Sequence, residues 1–158
     1  MTPMKRRTFL KGSATASVLA VAAAAGLLRP QTVLAAAWPQ AAFDAKDMNA
    51  VTQALYGAAD APANSAIQIK APIQAENGAV VPIAVSTSLD RVEGIAIMVD
   101  KNAAPLIGSV SLSGAGAGYF SARMKMGKTS DVKVVVKAGG KLYSATQNIK
   151  VTVGGCGG

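Results

Sequence analysis

The spacing of apolar residues changes near residue 66 from a helical period to a strand period. Before that point, Met48, Val51 and Leu55 recur at intervals of three and four residues, which places them on one side of a helix. After it, apolar and polar side chains alternate in short runs, as in strands with one buried face. The pattern therefore predicts a helix followed by a strand-rich domain.

The helix is predicted over residues 44–56, with Asp44 as its N-cap. Asp47 then adds a negative charge to the first turn, where it interacts favourably with the helix dipole. Gly57 follows the last residue of the pattern and is suited to end the helix, since glycine adopts the left-handed conformation at little steric cost. Residues 60–65 contain Asp, Pro, Asn and Ser and are interpreted as a linker.

Seven or eight short strands are predicted after the linker, with turn residues at intervals of about ten residues. Pro82 lacks an amide donor, so its strand is expected at a sheet edge or a bulge. Together these features favour a mainly β fold, namely an antiparallel immunoglobulin-like β-sandwich with an N-terminal helix and a flexible C-terminal arm. The strands are expected near residues 67–73, 81–85, 94–100, 107–113, 119–126, 132–136, 141–147 and 148–153.

The N-terminus has the features of an export signal. Arg6 and Arg7 stand in the run Lys-Arg-Arg-Thr-Phe-Leu-Lys, which is typical of a twin-arginine signal, and an Ala-rich apolar stretch follows at residues 13–28. That stretch is short for a membrane span, and small residues allow cleavage after Ala35 or Ala37. The sequence predicts a periplasmic protein that keeps no stable membrane anchor after cleavage.

Cleavage changes the size and the charge of the chain. Removal of residues 1–37 leaves 121 of the 158 residues, enough for one domain, in which residues 38–65 form the helix and linker and residues 66–153 the sandwich. All eight acidic residues but only eleven of the sixteen basic residues remain, so the net charge falls from +8 to +3. The modest charge and the low aromatic content indicate that the chain does not bind nucleic acid.

Residue types limit the chemistry of the chain. It contains no histidine and a single cysteine, which excludes an internal disulfide, a Ser-His or Cys-His catalytic arrangement and a His-ligated metal. We therefore expect a protein that is not itself an enzyme. Arg123, Lys125 and Lys128 form a basic group, interpreted as a solvated face, with steering of an anionic cargo or partner as the alternative.

The cysteine stands in the last five residues of the chain: Gly154, Gly155, Cys156, Gly157 and Gly158. Glycine loses more conformational freedom on ordering than any other residue and offers no side chain to bury, so this segment is expected to be a flexible, slender arm. The arm has no charged residue that would favour the thiolate, so the activating environment must come from another protein. The competing interpretation is a frayed terminus with an incidental cysteine.

The C-terminal residues carry a resemblance to a known family. The run Ile149-Lys150-Val151-Thr152-Val153 followed by Gly-Gly-Cys-Gly-Gly resembles the end of SoxY proteins, the sulfur-carrier subunits of the bacterial thiosulfate-oxidising system. Residues 120–126 and 140–145 also resemble family segments, so the resemblance extends from about Val80 to Gly158. It implies an immunoglobulin-like sandwich preceded by a helix.

The resemblance also implies a function. Cys156 would hold the sulfur substrate covalently, with no other cofactor. The implied partners are a SoxZ-like subunit that forms a heterodimer with this chain, a c-type cytochrome, a manganese hydrolase and, in some systems, a sulfane dehydrogenase. The strand around Pro82 and the apolar side of the helix at residues 48–55 are the candidate surfaces for the partner subunit.

Two other functions remain open at this stage. The terminal Gly-Gly is a feature of carriers that hold sulfur as a thiocarboxylate, although those are activated with ATP in the cytoplasm. Alternatively, the chain is an exported β-sandwich interaction module whose Cys156 forms an intermolecular disulfide.

Overall fold

Two sheets and two short helices make up the fold in the computed structural model, which describes residues 38–113 and 118–152. The chain divides into two compact units, Met1–Trp38 and Pro39–Gly158, and this fold belongs to the second. Its elements are α1 (Gln40–Asp44), α2 (Met48–Tyr56), β1 (Ile67–Lys70), β2 (Gln74–Ala75), β3 (Val81–Thr87), β4 (Val92–Val99), β5 (Leu106–Ser111), β6 (Tyr119–Met124), β7 (Ser130–Ala138) and β8 (Lys141–Val151).

The helical segment is two helices, and the single helix predicted over residues 44–56 is wrong. The chain becomes extended after Asp44, which is the last residue of α1. Asp47, with φ −137° and ψ 159°, is the N-cap of α2, and its carboxylate accepts a hydrogen bond from the Ala50 amide at 2.8 Å. Gly57 ends α2 in the left-handed conformation, with φ 77°, which confirms that part of the prediction.

The strands form two sheets, with the orders β1-β3-β6 and β2-β8-β7-β4-β5. Every pairing is antiparallel apart from the short parallel contact of β2 with β8. The main core lies between the sheets, because the alternating apolar residues of both turn inward. This arrangement confirms the predicted mainly β sandwich. The most deeply buried residues of the main core include Val81, Ile83, Val85, Ile95, Ile97, Val132, Val134, Val136 and Ile149.

Three of the predicted strands differ in the structure. β1 ends at Lys70, so Ile73 lies outside it with 75% of its surface exposed. β2 has only two residues, too few to give a recognisable pattern. The strands predicted at residues 141–147 and 148–153 are one strand, β8, because the pairing with β7 continues through the predicted break, where Asn148 pairs with Asp131. Residue 153 lies outside the described residues.

Pro82 does not mark an edge strand, because β3 lies between β1 and β6. The correction has a local explanation in the register of the sheet. β1 pairs with β3 only from Ala84 to Thr87, so on that side β3 has no partner strand at Pro82. A missing amide donor is therefore tolerated at this position of a central strand.

The two helices cover the outer face of the five-stranded sheet. Val51 of α2 is fully buried in a second apolar cluster with Ala96, Met98 and Val135. Since Ile95 and Ile97 face the main core, β4 is buried on both sides. No helix in the described part of the chain is long and apolar enough to cross a membrane.

Tyr56 closes α2 against β4. A Cβ atom built at Gly94 would lie 3.5 Å from the Tyr56 hydroxyl oxygen, so the phenol packs directly over the β4 backbone. Burial raises the pKa of Tyr56 from 10.0 to about 12. The group is neutral in the folded state, and the stability it contributes is present below pH 10 and is lost as the pH rises from 10 towards 12.

We expect Tyr56→Phe to flatten this alkaline loss of stability. In the wild type, the unfolded chain releases the Tyr56 proton at a lower pH than the folded chain does, which favours unfolding at alkaline pH. Phenylalanine has no such proton, so the free energy of unfolding should fall less steeply between about pH 10 and pH 12. Denaturant unfolding at a series of pH values measures the slope. Tyr119→Phe, at an exposed tyrosine, is the control; identical slopes in the two variants would contradict the assignment.

Candidate functional site

The predicted attachment residue Cys156 and the arm glycines Gly154, Gly155, Gly157 and Gly158 lie outside the described residues, as do Arg6 and Arg7 of the export signal. The structure describes the strand that leads to the arm, up to Thr152. The candidate site is therefore built from the end of β8 and the segments that hold it.

β8 has eleven residues and is paired with β7 from Ala138 and Lys141 at the hairpin turn to Ser130 and Ile149 near the arm. The turn is Gly139-Gly140, with φ values of 56° and 75° that favour glycine at both positions. This continuous pairing carries the chain along the full length of the five-stranded sheet and fixes where the arm begins.

The turn is also tied to β4. The Gly140 amide donates to Glu93 Oε1 at 2.8 Å, and Lys137 Nζ lies 3.1 Å from Glu93 Oε2. The hydrogen bond from Gly140, followed by the one from Lys137, lowers the pKa of the Glu93 carboxyl below its usual value. These contacts of Glu93 hold the end of the hairpin that lies opposite the end of β8.

The last residues of β8 alternate between core and solvent. Ile149 is fully buried and Val151 is half-buried against the main core, whereas Lys150 and Thr152 are exposed. The apolar pair anchors the strand by burial, an effect of about 1.5–3 kcal/mol for a fully buried aliphatic side chain. Anchoring in the core therefore continues to within one residue of Thr152.

Hydrogen bonds from backbone amides hold both edges of this segment. On the β2 side, the Lys150 amide donates to Ile73 O at 2.9 Å and the Thr152 amide to Ala75 O at 3.0 Å. On the other side, Thr129 Oγ1 accepts a hydrogen bond from the Val151 amide at 3.0 Å. The arm thus starts from a fixed point at Thr152. Cys156 is four residues further on, which allows about 13–14 Å of extended chain.

Gly78 also holds the end of β8. We call this contact, together with the hydrogen bonds of the Lys150, Val151 and Thr152 amides, the clamp. The Gly78 carbonyl accepts a hydrogen bond from the Met126 amide at 2.7 Å. A Cβ atom at Gly78 would lie 2.2 Å from Met126 O and 2.9 Å from Val151 Cγ1, so any side chain would displace the backbone or the end of β8. Neither Gly78 nor Thr129 was predicted from the sequence. The Asn77-Gly78 dipeptide signals a turn, but its contact with Val151 is long-range.

The basic residues singled out in the sequence surround the same end of the sandwich. Arg123, Lys125 and Lys128 are all exposed. The Lys125 carbonyl accepts a hydrogen bond from Asn102 Nδ2 at 2.7 Å, which ties the loop after β6 to the loop after β4. Lys128 directly precedes Thr129, so it lies near the start of the arm. Among the described residues, no group of three or more His, Cys, Asp or Glu residues could hold a metal ion.

Comparison with protein families identifies this arrangement. The family model "Sulfur oxidation protein SoxY" matches residues 52–156, from α2 through the sandwich to the arm cysteine. The chain belongs to the SoxY family. The match confirms the resemblance noted in the C-terminal residues and indicates a carrier role in sulfur oxidation.

One solved structure agrees with the family. The sulfur carrier protein SoxY from Chlorobium limicola f thiosulfatophilum is 43% identical; the match covers 64% of this chain and 92% of that one, with a TM-score of 0.58. A superoxide reductase (neelaredoxin) from Ignicoccus hospitalis is 16% identical, over 54% of this chain and 79% of that one, with a TM-score of 0.49. This second likeness carries no argument about function. No curated protein matches the chain significantly.

We expect Gly78→Ala to loosen the base of the arm of this SoxY-family chain. The added methyl group has no room beside Met126 and Val151, so the free energy of unfolding should fall by about 1–3 kcal/mol. Amide hydrogen exchange at Val151 and Thr152 should become faster.

Gly127→Ala is the matched control for this change. A Cβ atom at Gly127 meets nothing within 4 Å, and its φ is not in the left-handed region. Chemical denaturation and hydrogen exchange should leave this variant close to the wild type. Equal destabilisation by the two substitutions would contradict the described clamp.

Proposed function

We propose that this chain is a periplasmic carrier of thiosulfate oxidation, which holds sulfur intermediates covalently on Cys156 and presents them to partner enzymes. The observation that carries the proposal is the family match, which reaches Cys156. The geometry of β8 supports it, because a strand held on both edges gives the cysteine-bearing segment a fixed origin.

The first step of the proposed cycle is an oxidation. The Cys156 thiolate and the outer sulfur of thiosulfate form an S–S bond, and two electrons pass to a c-type cytochrome. The product is a cysteine S-thiosulfonate, Cys–S–S–SO₃⁻. A thiolate is required because it, and not the thiol, is the nucleophile.

The second step is a hydrolysis by a manganese enzyme. Water cleaves the bond between the outer sulfane sulfur and the sulfonate, which releases sulfate and two protons and leaves a persulfide, Cys–S–S⁻, on the carrier. In systems with a sulfane dehydrogenase, that enzyme oxidises the remaining sulfur further. The carrier provides the attachment atom in each step and the partner supplies the catalytic groups.

The composition of the arm suits this division of work. Four glycines around Cys156 present almost no side-chain bulk, so the segment fits a narrow cleft. The chain has no histidine with which to act as a general base. We propose that it is a non-catalytic carrier, that its stable partner is a SoxZ-like subunit, and that the enzymes bind the pair transiently.

We predict that Cys156→Ser abolishes carrier activity while the fold is retained. The substitution lies beyond the last core residue of β8, so the free energy of unfolding should be unchanged. The measurement is thiosulfate-dependent cytochrome reduction and sulfate release in a system reconstituted from the purified proteins. Lys141→Gln, at an exposed position of the distant hairpin turn, is the control and should retain activity. Comparable turnover by Cys156→Ser would contradict the carrier proposal.

Export by the twin-arginine route implies folding before transport. A cofactor inserted in the cytoplasm is one common reason, but the chain has no histidine and only one cysteine with which to hold one. We propose instead that a SoxZ-like subunit without its own signal crosses the membrane bound to this chain. The signal at Arg6 and Arg7 would then serve both proteins.

We predict that changing Arg6 and Arg7 together to lysine retains both this chain and the SoxZ-like subunit in the cytoplasm. Immunoblotting of cytoplasmic and periplasmic fractions measures the distribution. Lys5→Ser is the control, because serine is a common residue at that position of twin-arginine signals, and export should continue. A normal periplasmic level of the SoxZ-like subunit in the double variant would refute co-export and leave the carrier proposal intact.

A further inference from the structure

The two sheets of the sandwich differ in how their outer faces are covered. α1 and α2 pack on the five-stranded sheet, whereas in the described part of the chain no such layer lies on the three-stranded sheet. The exposed residues of β3 and β6, among them Pro82, Tyr119 and Arg123, therefore remain at the surface of the chain. We call this surface the uncovered face.

A groove of about 510 Å³ lies on the uncovered face. It forms where β1 has ended and the chain departs from the sheet at Ala71, which leaves one side of β3 without a partner strand. Apart from Lys70, its lining residues are apolar, small or aromatic, and two prolines reduce the number of backbone donors that a bound partner would have to satisfy. The lining includes Lys70, Pro72, Pro82, Ala84, Tyr119 and Ser121.

Three exposed large apolar residues line this groove or lie within two residues of its lining in the sequence. Ile73 follows the lining residue Pro72 and is 75% exposed, Val80 directly precedes β3 and is 55% exposed, and Tyr119 of the lining is 56% exposed. The described residues leave one other large apolar side chain exposed, Trp38, which belongs to the N-terminal unit. A group of exposed apolar residues on one side of a chain indicates a protein interface, whereas single ones do not.

The charge of the uncovered face has one sign. In β1, β3 and β6, all of whose residues the structure describes, the charged side chains are Lys70 and Arg123, and there is no carboxylate. Lys125 follows β6 and is exposed, and Glu76, in the loop after β2, is the acidic residue nearest in sequence to the groove segment 70–73. A complementary partner would place carboxylates around an apolar projection.

The uncovered face also adjoins the base of the arm. Ile73 O accepts the hydrogen bond from the Lys150 amide at 2.9 Å, so the exposed residue Ile73 lies beside the last residues of β8. The other candidate surface for a partner, the apolar side of the helix at residues 48–55, is not available. Val51 is fully buried against this chain's own sheet, and Met48 and Leu55 pack on the same cluster.

We propose that the uncovered face is the docking surface for an acidic protein subunit, which inserts an apolar side chain into the groove and pairs carboxylates with Lys70 and Arg123. The inference rests on the proposed function in one respect, namely that the partner is the SoxZ-like subunit. A subunit bound here lies beside the base of the arm and leaves Cys156 free to enter the enzymes.

The test uses the mature chain with Cys156→Ser, so that binding is measured without any carrier chemistry. The probe is the purified SoxZ-like subunit, and calorimetry gives the Kd at low and high salt. Lys70→Glu combined with Arg123→Glu should raise the Kd at least tenfold, and Tyr119→Ser should raise it by about tenfold, since central aromatic residues dominate such interfaces. Lys141→Glu, an exposed charge reversal at the distant hairpin turn, is the control and should change the Kd less than about twofold.

Salt provides a second readout that a merely structural effect would not move. The Kd of the unsubstituted face should rise with ionic strength, and the variant Lys70→Gln with Arg123→Gln should show a weaker salt dependence. Unchanged binding by the charge-reversal variant would overturn the proposal, as would an equal loss in the Lys141→Glu control. Self-association of this chain that the same substitutions abolish, with the SoxZ-like subunit still bound, would assign the face to a second copy and also overturn it.

The outcomes separate this proposal from the carrier function. If Cys156→Ser protein binds the subunit through the uncovered face but the unsubstituted chain is never loaded with sulfur, the docking surface stands and the carrier proposal fails. If loading on Cys156 occurs while substitutions on the face leave binding unchanged, the carrier proposal stands and the docking surface fails.

Discussion

The antiparallel pairing of β8 with β7 is the constraint on which the rest of the structure depends. Near its start, β8 holds the linker, because the Ser144 amide donates to Pro62 O at 2.8 Å and Ser144 Oγ to Ala61 O at 2.6 Å. At its end, β8 holds the base of the arm through Thr129 and Ala75. One strand thus connects the helices on one face of the sheet with the cysteine-bearing terminus.

The fixed end of β8 and the glycine-rich terminus have different physical roles. Burial of Ile149 and the hydrogen bonds at Thr152 determine where the terminus begins, because both stabilise the end of β8. Four of the six residues after Thr152 are glycines, which have no side chain to bury. The match to the SoxY family extends to residue 156, the cysteine that we propose as the attachment site.

Periodicity predicted those parts of the fold that have two different faces. β3 and β6 alternate cleanly because one face meets the core and the other is uncovered. β4 is buried on both sides and does not alternate in burial, yet its apolar residues still predicted a strand at residues 94–100; β2 is too short to show a period. The N-cap was misplaced because Asp44 and Asp47 both suit that role, and only the extended backbone at Asp47 distinguishes them. Gly78 and Thr129 act on β8 through long-range contacts that no local pattern contains.

Residue type and position singled out Cys156, and the resemblance to the SoxY family gave it the role of attachment site, which stays a prediction because residue 156 lies outside the described residues. The most direct test of the carrier proposal is the intact mass of the mature protein isolated from thiosulfate-grown cells. We expect sulfur-containing adducts that map to Cys156 and are removed by reducing agents. A cysteine found only as a free thiol or in a disulfide between two chains, or a modified carboxyl terminus beside an unmodified Cys156, would contradict it.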